Sequence, residues 1–93
     1  MVGVLTVQLH LPGCSSLKEK RSRLKPLLHR LHREFNVSVA EMGMQDTRQE
    51  AVLCCAMVGN DGAHLQAALG HVARWVEGNW PDGMVVEEQV ATF

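Results

Sequence analysis

The sequence predicts an α+β domain whose four-stranded antiparallel sheet carries two helices on one face. Three patterns lead there. Apolar and polar residues alternate over 2–11, two stripes of helical spacing run through Leu17–Phe35 and Leu65–Val76, and two strand-like runs at 36–44 and 50–58 are joined by a short turn.

In the first strand Leu5, Val7, Leu9 and Leu11 share one side, and Val4, Thr6, Gln8 and His10 share the other, the pattern of a half-buried strand. Pro12-Gly13 ends it. Ser16 with Glu19 three residues on forms a capping box that opens a helix, in which Leu17, Leu24, Leu28, Leu31 and Phe35 recur at helical spacing. Pro26 lies inside that pattern, so a kink or two abutting helical segments are expected.

The runs NVSVAEMGM and EAVLCCAMV meet at Gln45-Asp46-Thr47, a connection short enough to make an antiparallel hairpin. Gly59-Asn60-Asp61-Gly62 supplies a break and a cap for a second helix with Leu65, Ala68, Leu69, Val72 and Val76 inward, ending near Gly78-Asn79. Pro81-Asp82-Gly83 then turns the chain into a last strand over 84–92. The order βαββαβ specifies a single ferredoxin-like domain over 1–93, with strand order 4-1-3-2.

Composition sets further bounds. With 46% hydrophobic and 20% charged residues the chain is globular rather than disordered. The first residues have no basic leader, and no run approaches the roughly 20 apolar residues of a membrane span, so a cytoplasmic location is expected. Three cysteines cannot all pair within one chain, and Cys54 and Cys55 point to opposite sides of a strand. All three read as small core residues in a reducing compartment.

The net charge of −1 conceals an asymmetry. Residues 16–35 hold seven of the nine Lys and Arg residues against Glu19 and Glu34, a net +5 that leaves −6 for the rest. A patch of this kind attracts a phosphate backbone or an acidic protein even when the overall charge is near zero.

The segments GVLTVQLHLPGCSSLKEKRSRLK, REFNVSVAEMGMQD and AVLCCAMVGNDGAH resemble the YlxP-like family of small bacterial proteins over nearly the whole chain, most closely in SLKEKR, FNVSVAE and Gln45-Asp46. The resemblance implies a ferredoxin-like fold and a bacterial cytoplasmic setting. Family members are often encoded beside factors for translation initiation and ribosome maturation, which implies an RNA or ribosomal partner but no chemistry. It also singles out Ser16, Lys18, Lys20, Arg21, Gln45 and Asp46. This chain departs from the family at Thr47-Arg48, where relatives often carry a bulky or aromatic residue, so an interaction of that residue at the hairpin tip does not carry over.

Drawn on a wheel of about 100° per residue, the first helix has two different flanks. Lys18, Arg21, Lys25, His29 and His32 lie on one without a carboxylate. The other holds Glu19, Arg23, Arg30 and Glu34, where Glu19–Arg23 and Arg30–Glu34 are i,i+4 pairs that neutralise locally. The unpaired flank is the candidate nucleic-acid surface, with His29 and His32 adding charge in acid. The two middle strands contain no aromatic residue on which bases could stack, so any nucleic acid is expected to bind through its phosphates.

Enzyme signatures are sparse. Cys14 stands near a helix start and Lys18, a setting that can lower a thiol pKa, with His10 or His29 as conceivable bases, but a structural cysteine is the preferred reading. His29 with His32, or His64 with His71, lack convincing further metal ligands, so neither a metal nor a cofactor is expected. Glu41 lies among apolar residues. It is either on the open sheet face or paired with Arg21 or Lys20, and a structural ion pair is expected.

The sequence thus reads as a non-enzymatic binding protein for RNA or a ribosomal component. The alternative is a homodimeric regulatory or structural module, with a small ligand at its interface. A homodimer is expected in either case, because the third strand is apolar on both faces and two helices cover only one. Val2, Val4, Val85 and Ala91 are expected to add to the open face.

Overall fold

The alternation in the first strand decides the layering. In the computed structural model, which describes residues 1–93, β1 (Val2–His10) turns Leu5, Val7 and Leu9 into the core and Val4, Thr6, Gln8 and His10 to the opposite face. There follow α1 (Leu17–Glu34), β2 (Ser38–Gly43), β3 (Glu50–Val58), α2 (Gly62–Asn79) and β4 (Met84–Thr92). The sheet order is β2-β3-β1-β4 and every pairing is antiparallel. The fold is ferredoxin-like, as expected, with β1 and β3 central and β2 and β4 at the edges.

Both helices start on side-chain caps. Ser16 Oγ accepts from the Glu19 N–H at 3.0 Å, while the Glu19 carboxylate accepts from the Ser15 N–H at 3.1 Å, one residue earlier than in the usual box. Asp61 Oδ1 accepts from the N–H groups of Ala63 and His64. Pro26 does not divide α1 into two segments: the helix is continuous. Pro26 and Ser22 are both exposed, so the Ser22 carbonyl that loses its usual donor lies on the solvent side, where the loss costs least.

Between the sheet and the helices, Leu24, Leu27 and Leu31 of α1 and Leu69, Val72, Ala73 and Val76 of α2 form one buried cluster with Leu5, Val7, Leu9, Leu53 and Cys55. The buried stripe of α1 is rotated from the one the sequence suggested. Leu27 and Lys20 are buried, whereas Leu17, Leu28 and Phe35 are only half-buried.

A register shift in β4 corrects another expectation. Ala91 pairs with Val4 on the open face, but an extra residue opposite the Gln8/Leu9 step puts Val85 beside Leu9, packed against the core. The turn into β4 also passes so close to β1 that a Cβ on Gly83 would stand 2.2 Å from the His10 carbonyl oxygen and 2.7 Å from the Trp80 ring.

Candidate nucleic-acid interface

The packing of α1 gives its two flanks different fates. The flank facing α2 is tied down. Arg30 lies 4.8 Å over the Trp75 ring and donates to the Asn79 carbonyl, Arg23 donates to the carbonyls of Pro12 and Asp82, and Phe35 meets Trp75 edge-on. Arg23 also stands 3.7 Å from Glu19, as expected. The expected Arg30–Glu34 pair does not form. Arg30 is taken up by α2, and Glu34 instead lies 3.9 Å from Arg33.

On the opposite flank Lys18, Arg21, Lys25, His29 and His32 are all exposed. None lies within 4.0 Å of a carboxylate and none donates a hydrogen bond to the chain, so the carboxylates elsewhere in the fold do not answer this stripe. Every other Lys and Arg has a partner. Lys20 has Glu41, Arg33 has Glu34, Arg74 has Glu77 and Glu88, Arg23 and Arg30 are held as described, and Arg48 donates to the Ser15 carbonyl at 3.4 Å. At 1.5 Å per residue the cations from Lys18 to His32 extend about 21 Å along the helix. Ser22, Lys25, Pro26, His29 and Arg30 border a shallow depression of about 360 Å³ on the outer face of the helix, between the two flanks.

Next to the stripe, Lys20 turns inward. It is 1% exposed, and its ammonium donates to the carbonyls of Met44 and Thr47 at 2.8 Å and of Glu50 at 3.1 Å, with Gln45 at 3.5 Å. Glu41 Oε2 lies 2.9 Å away. Glu41 pairs with Leu53 across the sheet, which places it on the core side, and its expected ion pair is made with Lys20 rather than Arg21. Three N–H groups are already directed at carbonyls, so the carboxylate acts mainly as a counter-charge, and Oε2 makes no hydrogen bond of good geometry.

The hairpin tip is built around this ammonium. Met44 adopts a left-handed backbone at φ 56°, and its carbonyl accepts from both Lys20 Nζ and the Thr47 N–H. Gln45 Nε2 donates back to the Glu41 carbonyl at 3.3 Å. Asp46 is exposed at the tip, where it borders a polar depression of about 730 Å³ together with Cys14, Ser15, Thr47, Arg48, Gln49 and Glu50. Ser16, Lys20, Glu41 and Gln45 are therefore occupied in holding local structure, while Lys18, Arg21 and Asp46 remain free at the surface.

Comparison with known proteins adds the family. The family model described as "Protein of unknown function (DUF503)" matches residues 2–90. The chain belongs to the DUF503 family. It is 34% identical over 77 residues to "Uncharacterized protein YlxP" of Bacillus subtilis (strain 168), covering 83% of this chain and 84% of that one, which confirms the resemblance read from its motifs. Among solved structures it is similar to "De novo designed protein Ferredog-Diesel", at 12% identity and a TM-score of 0.46 over 99% of this chain and 85% of that one.

The remaining chemistry-bearing groups of this DUF503 chain are positioned as follows. Burial pushes the Cys14 thiol up, helped by the neighbouring Glu19 carboxylate. Its S–H is directed at the Ser16 carbonyl at 3.5 Å. His10 Nδ1 lies 2.8 Å from Glu50 Oε1 across the β1–β3 ladder. Cys55 is in the core, where burial raises its thiol to about 11, and Cys54 faces the open side within 3.6 Å of Thr6 Oγ1. His29, His32, His64 and His71 are exposed on their helices.

Proposed function

We propose that this DUF503 protein is a non-enzymatic binding protein that holds RNA, or an RNA-bearing ribosomal component, through the stripe formed by Lys18, Arg21, Lys25, His29 and His32. One observation carries the reading: Lys18, Arg21 and Lys25 are the only Lys and Arg side chains with no partner in the chain, and all three lie on one flank of one helix. Long cations kept unpaired side by side repel one another, and a line of phosphates relieves that repulsion. The translation-factor setting implied by the family supports RNA over other polyanions.

The aromatic residues support phosphate contacts rather than base stacking. Trp80 is buried, Phe35 and Trp75 occupy each other on the α2 side, and Phe93 lies at the far end of β4. Binding of this kind is salt-sensitive and weakly selective for sequence. Co-sedimentation with ribosomal particles from a bacterial lysate tests it: ribonuclease treatment is expected to release the protein, and retention after complete digestion would oppose the reading. No helix is long and apolar enough to cross a membrane.

A second reading, a homodimer through the open sheet face, draws on that face's apolar end. There Val4, Ala40, Met42, Cys54 and Ala56 line a shallow depression of about 380 Å³, and Val58 is 81% exposed. The other end carries Thr6, Gln8, Glu87 and Gln89 and is polar. Sedimentation equilibrium separates the outcomes. A dimer gives twice the 10.3 kDa of the chain and dissociates with Ala56→Lys, at the apolar end, whereas a 10.3 kDa species indifferent to that change removes the dimer.

A further inference from the structure

The two edges of the sheet differ in how they are protected. Natural edge strands are blunted by charged side chains, bulges and short length, because unpaired backbone groups recruit another strand. β4 carries Glu87 and Glu88 in mid-strand and a register shift beside them. β2 has its irregularity only after Glu41, where Met42 is the extra residue. Its stretch Ser38–Glu41 runs in unbroken register with β3. The sole charge in that stretch, Glu41, is already paired with Lys20 on the core side. Ser38 and Ala40 are small and exposed.

What flanks this edge gives it chemistry. Because Arg23 and Arg30 face α2 and the start of β4, the opposite side of α1, with Arg21, Lys25 and His32, lies on the β2 side of the sheet. Below, on the open face, Ser38 and Ala40 form the low near wall of the apolar depression that runs to Val4 and Cys54. A strand added to β2 would point alternate side chains up toward the cations and down toward this depression.

We propose that the β2 edge is a docking site for an extended protein segment in which acidic and apolar residues alternate, paired to Ser38–Glu41 by backbone hydrogen bonds. Its carboxylates lie against Arg21, Lys25 and His32, and its apolar side chains against Ala40 and Met42. This is strand addition to a sheet edge, where main-chain bonds supply affinity and alternate side chains supply selectivity. A second copy of the chain does not fit the edge in the same way. Two β2 strands paired about a two-fold axis would bring two unpaired basic stripes together on the same side of the joined sheet. An acidic segment on this edge would compete with RNA for Arg21 and Lys25, so the site adds a protein ligand to the proposed surface and a means of releasing the nucleic acid.

The test uses the intact protein and no RNA, so its result is read independently of the RNA experiment. The probe is a capped ten-residue peptide of alternating Glu and Val, with two controls: the same peptide N-methylated at alternate backbone positions, and a Lys/Val version. The Glu/Val peptide is expected to slow amide hydrogen exchange within Ser38–Glu41. N-methylation, which removes donors but not charge, is expected to weaken binding by about tenfold or more. Arg21→Glu, a surface change, weakens it as well. Equal binding of the N-methylated or Lys/Val peptide, or no slowing within β2 at saturating Glu/Val peptide, would overturn the proposal.

Discussion

Lys20 Nζ lies 2.9 Å from Glu41 Oε2, an ion pair that joins α1 to the edge strand β2 from inside the fold. Glu41 is 20% exposed on its side chain and Lys20 is essentially closed to water, so the pair is asymmetric: the cation bears the larger desolvation cost and gathers more partners. Neighbouring Lys18 and Arg21 have none. One short segment, SLKEKR, thus contains both a cation that organises the hairpin tip and cations left unpaired at the surface.

That asymmetry predicts unequal costs for breaking the pair from either side. Lys20→Met strands the carbonyls of Met44, Thr47 and Glu50 and is expected to cost about 3–5 kcal/mol, with faster amide exchange over 44–49. Glu41→Gln leaves those bonds in place and is expected to cost about 1–3 kcal/mol. Urea unfolding of both variants measures the difference. If Lys20→Met costs no more than Glu41→Gln, the ammonium does not organise the tip.

The Cys55 thiol predicts a loss of stability in alkali. Its pKa is raised by burial, and secondarily by Cys54, from 9.0 to about 11, so above pH 9 the unfolded chain releases a proton that the folded one retains. Stability is therefore unaffected by this group below pH 9 and falls as pH rises from 9 toward 11. At one pKa unit per 1.36 kcal/mol the loss approaches about 2–3 kcal/mol. Cys55→Ala is expected to be less stable at pH 7.5, from poorer packing, but to show a shallower decline between pH 9 and 10.5. A parallel decline in both proteins would assign the alkaline loss to other groups.

Two glycines are expected to respond in opposite directions. An added Cβ at Gly70, inside α2, meets nothing within 4 Å, so Gly70→Ala should stabilise by about 0.8–1 kcal/mol. At Gly83 the Cβ would collide with the His10 carbonyl, where backbone rather than a flexible side chain must move, and Gly83→Ala should destabilise by about 2 kcal/mol or more. Thermal unfolding of the pair checks both signs, and Gly70→Ala offers a sturdier background for the charge variants.

Local signals carried much of this structure. Period-two alternation and the turn residues placed β3 and β4 at their observed limits, Ser16 caps α1 as its spacing from Glu19 indicates, and the cap of α2 falls on Asp61 within the expected break. Departures arose where a distant partner decided. Lys20 shares the wheel sector of Leu24 and Leu31, but nothing local says that a ring of hairpin carbonyls awaits it. Glu41 pointed to a cation without distinguishing Lys20 from its neighbour Arg21. Arg30 had a correctly spaced Glu34 and went to Trp75 instead, because α2 packs against that flank. Val85 changed face through a bulge, which shifts alternation by one residue and leaves no mark in composition. The stripe itself was legible, because helical spacing alone sorts its cations onto one side. That no carboxylate elsewhere reaches them became visible only in three dimensions.

The salt dependence of RNA binding tests the role of the stripe most directly. The affinity of the protein and of a Lys18→Glu/Lys25→Glu variant for a duplex RNA is measured across a salt series, with thermal unfolding as the folding control. Both side chains are exposed and unpaired, so the variant is expected to keep its melting temperature within a few degrees while binding RNA at least about tenfold more weakly at low salt. Its slope of log affinity against log salt should be shallower by about one for each phosphate that the variant no longer neutralises. Equal affinity and equal slope in a folded variant would show the stripe to be a solvated helix face and would contradict the proposed function.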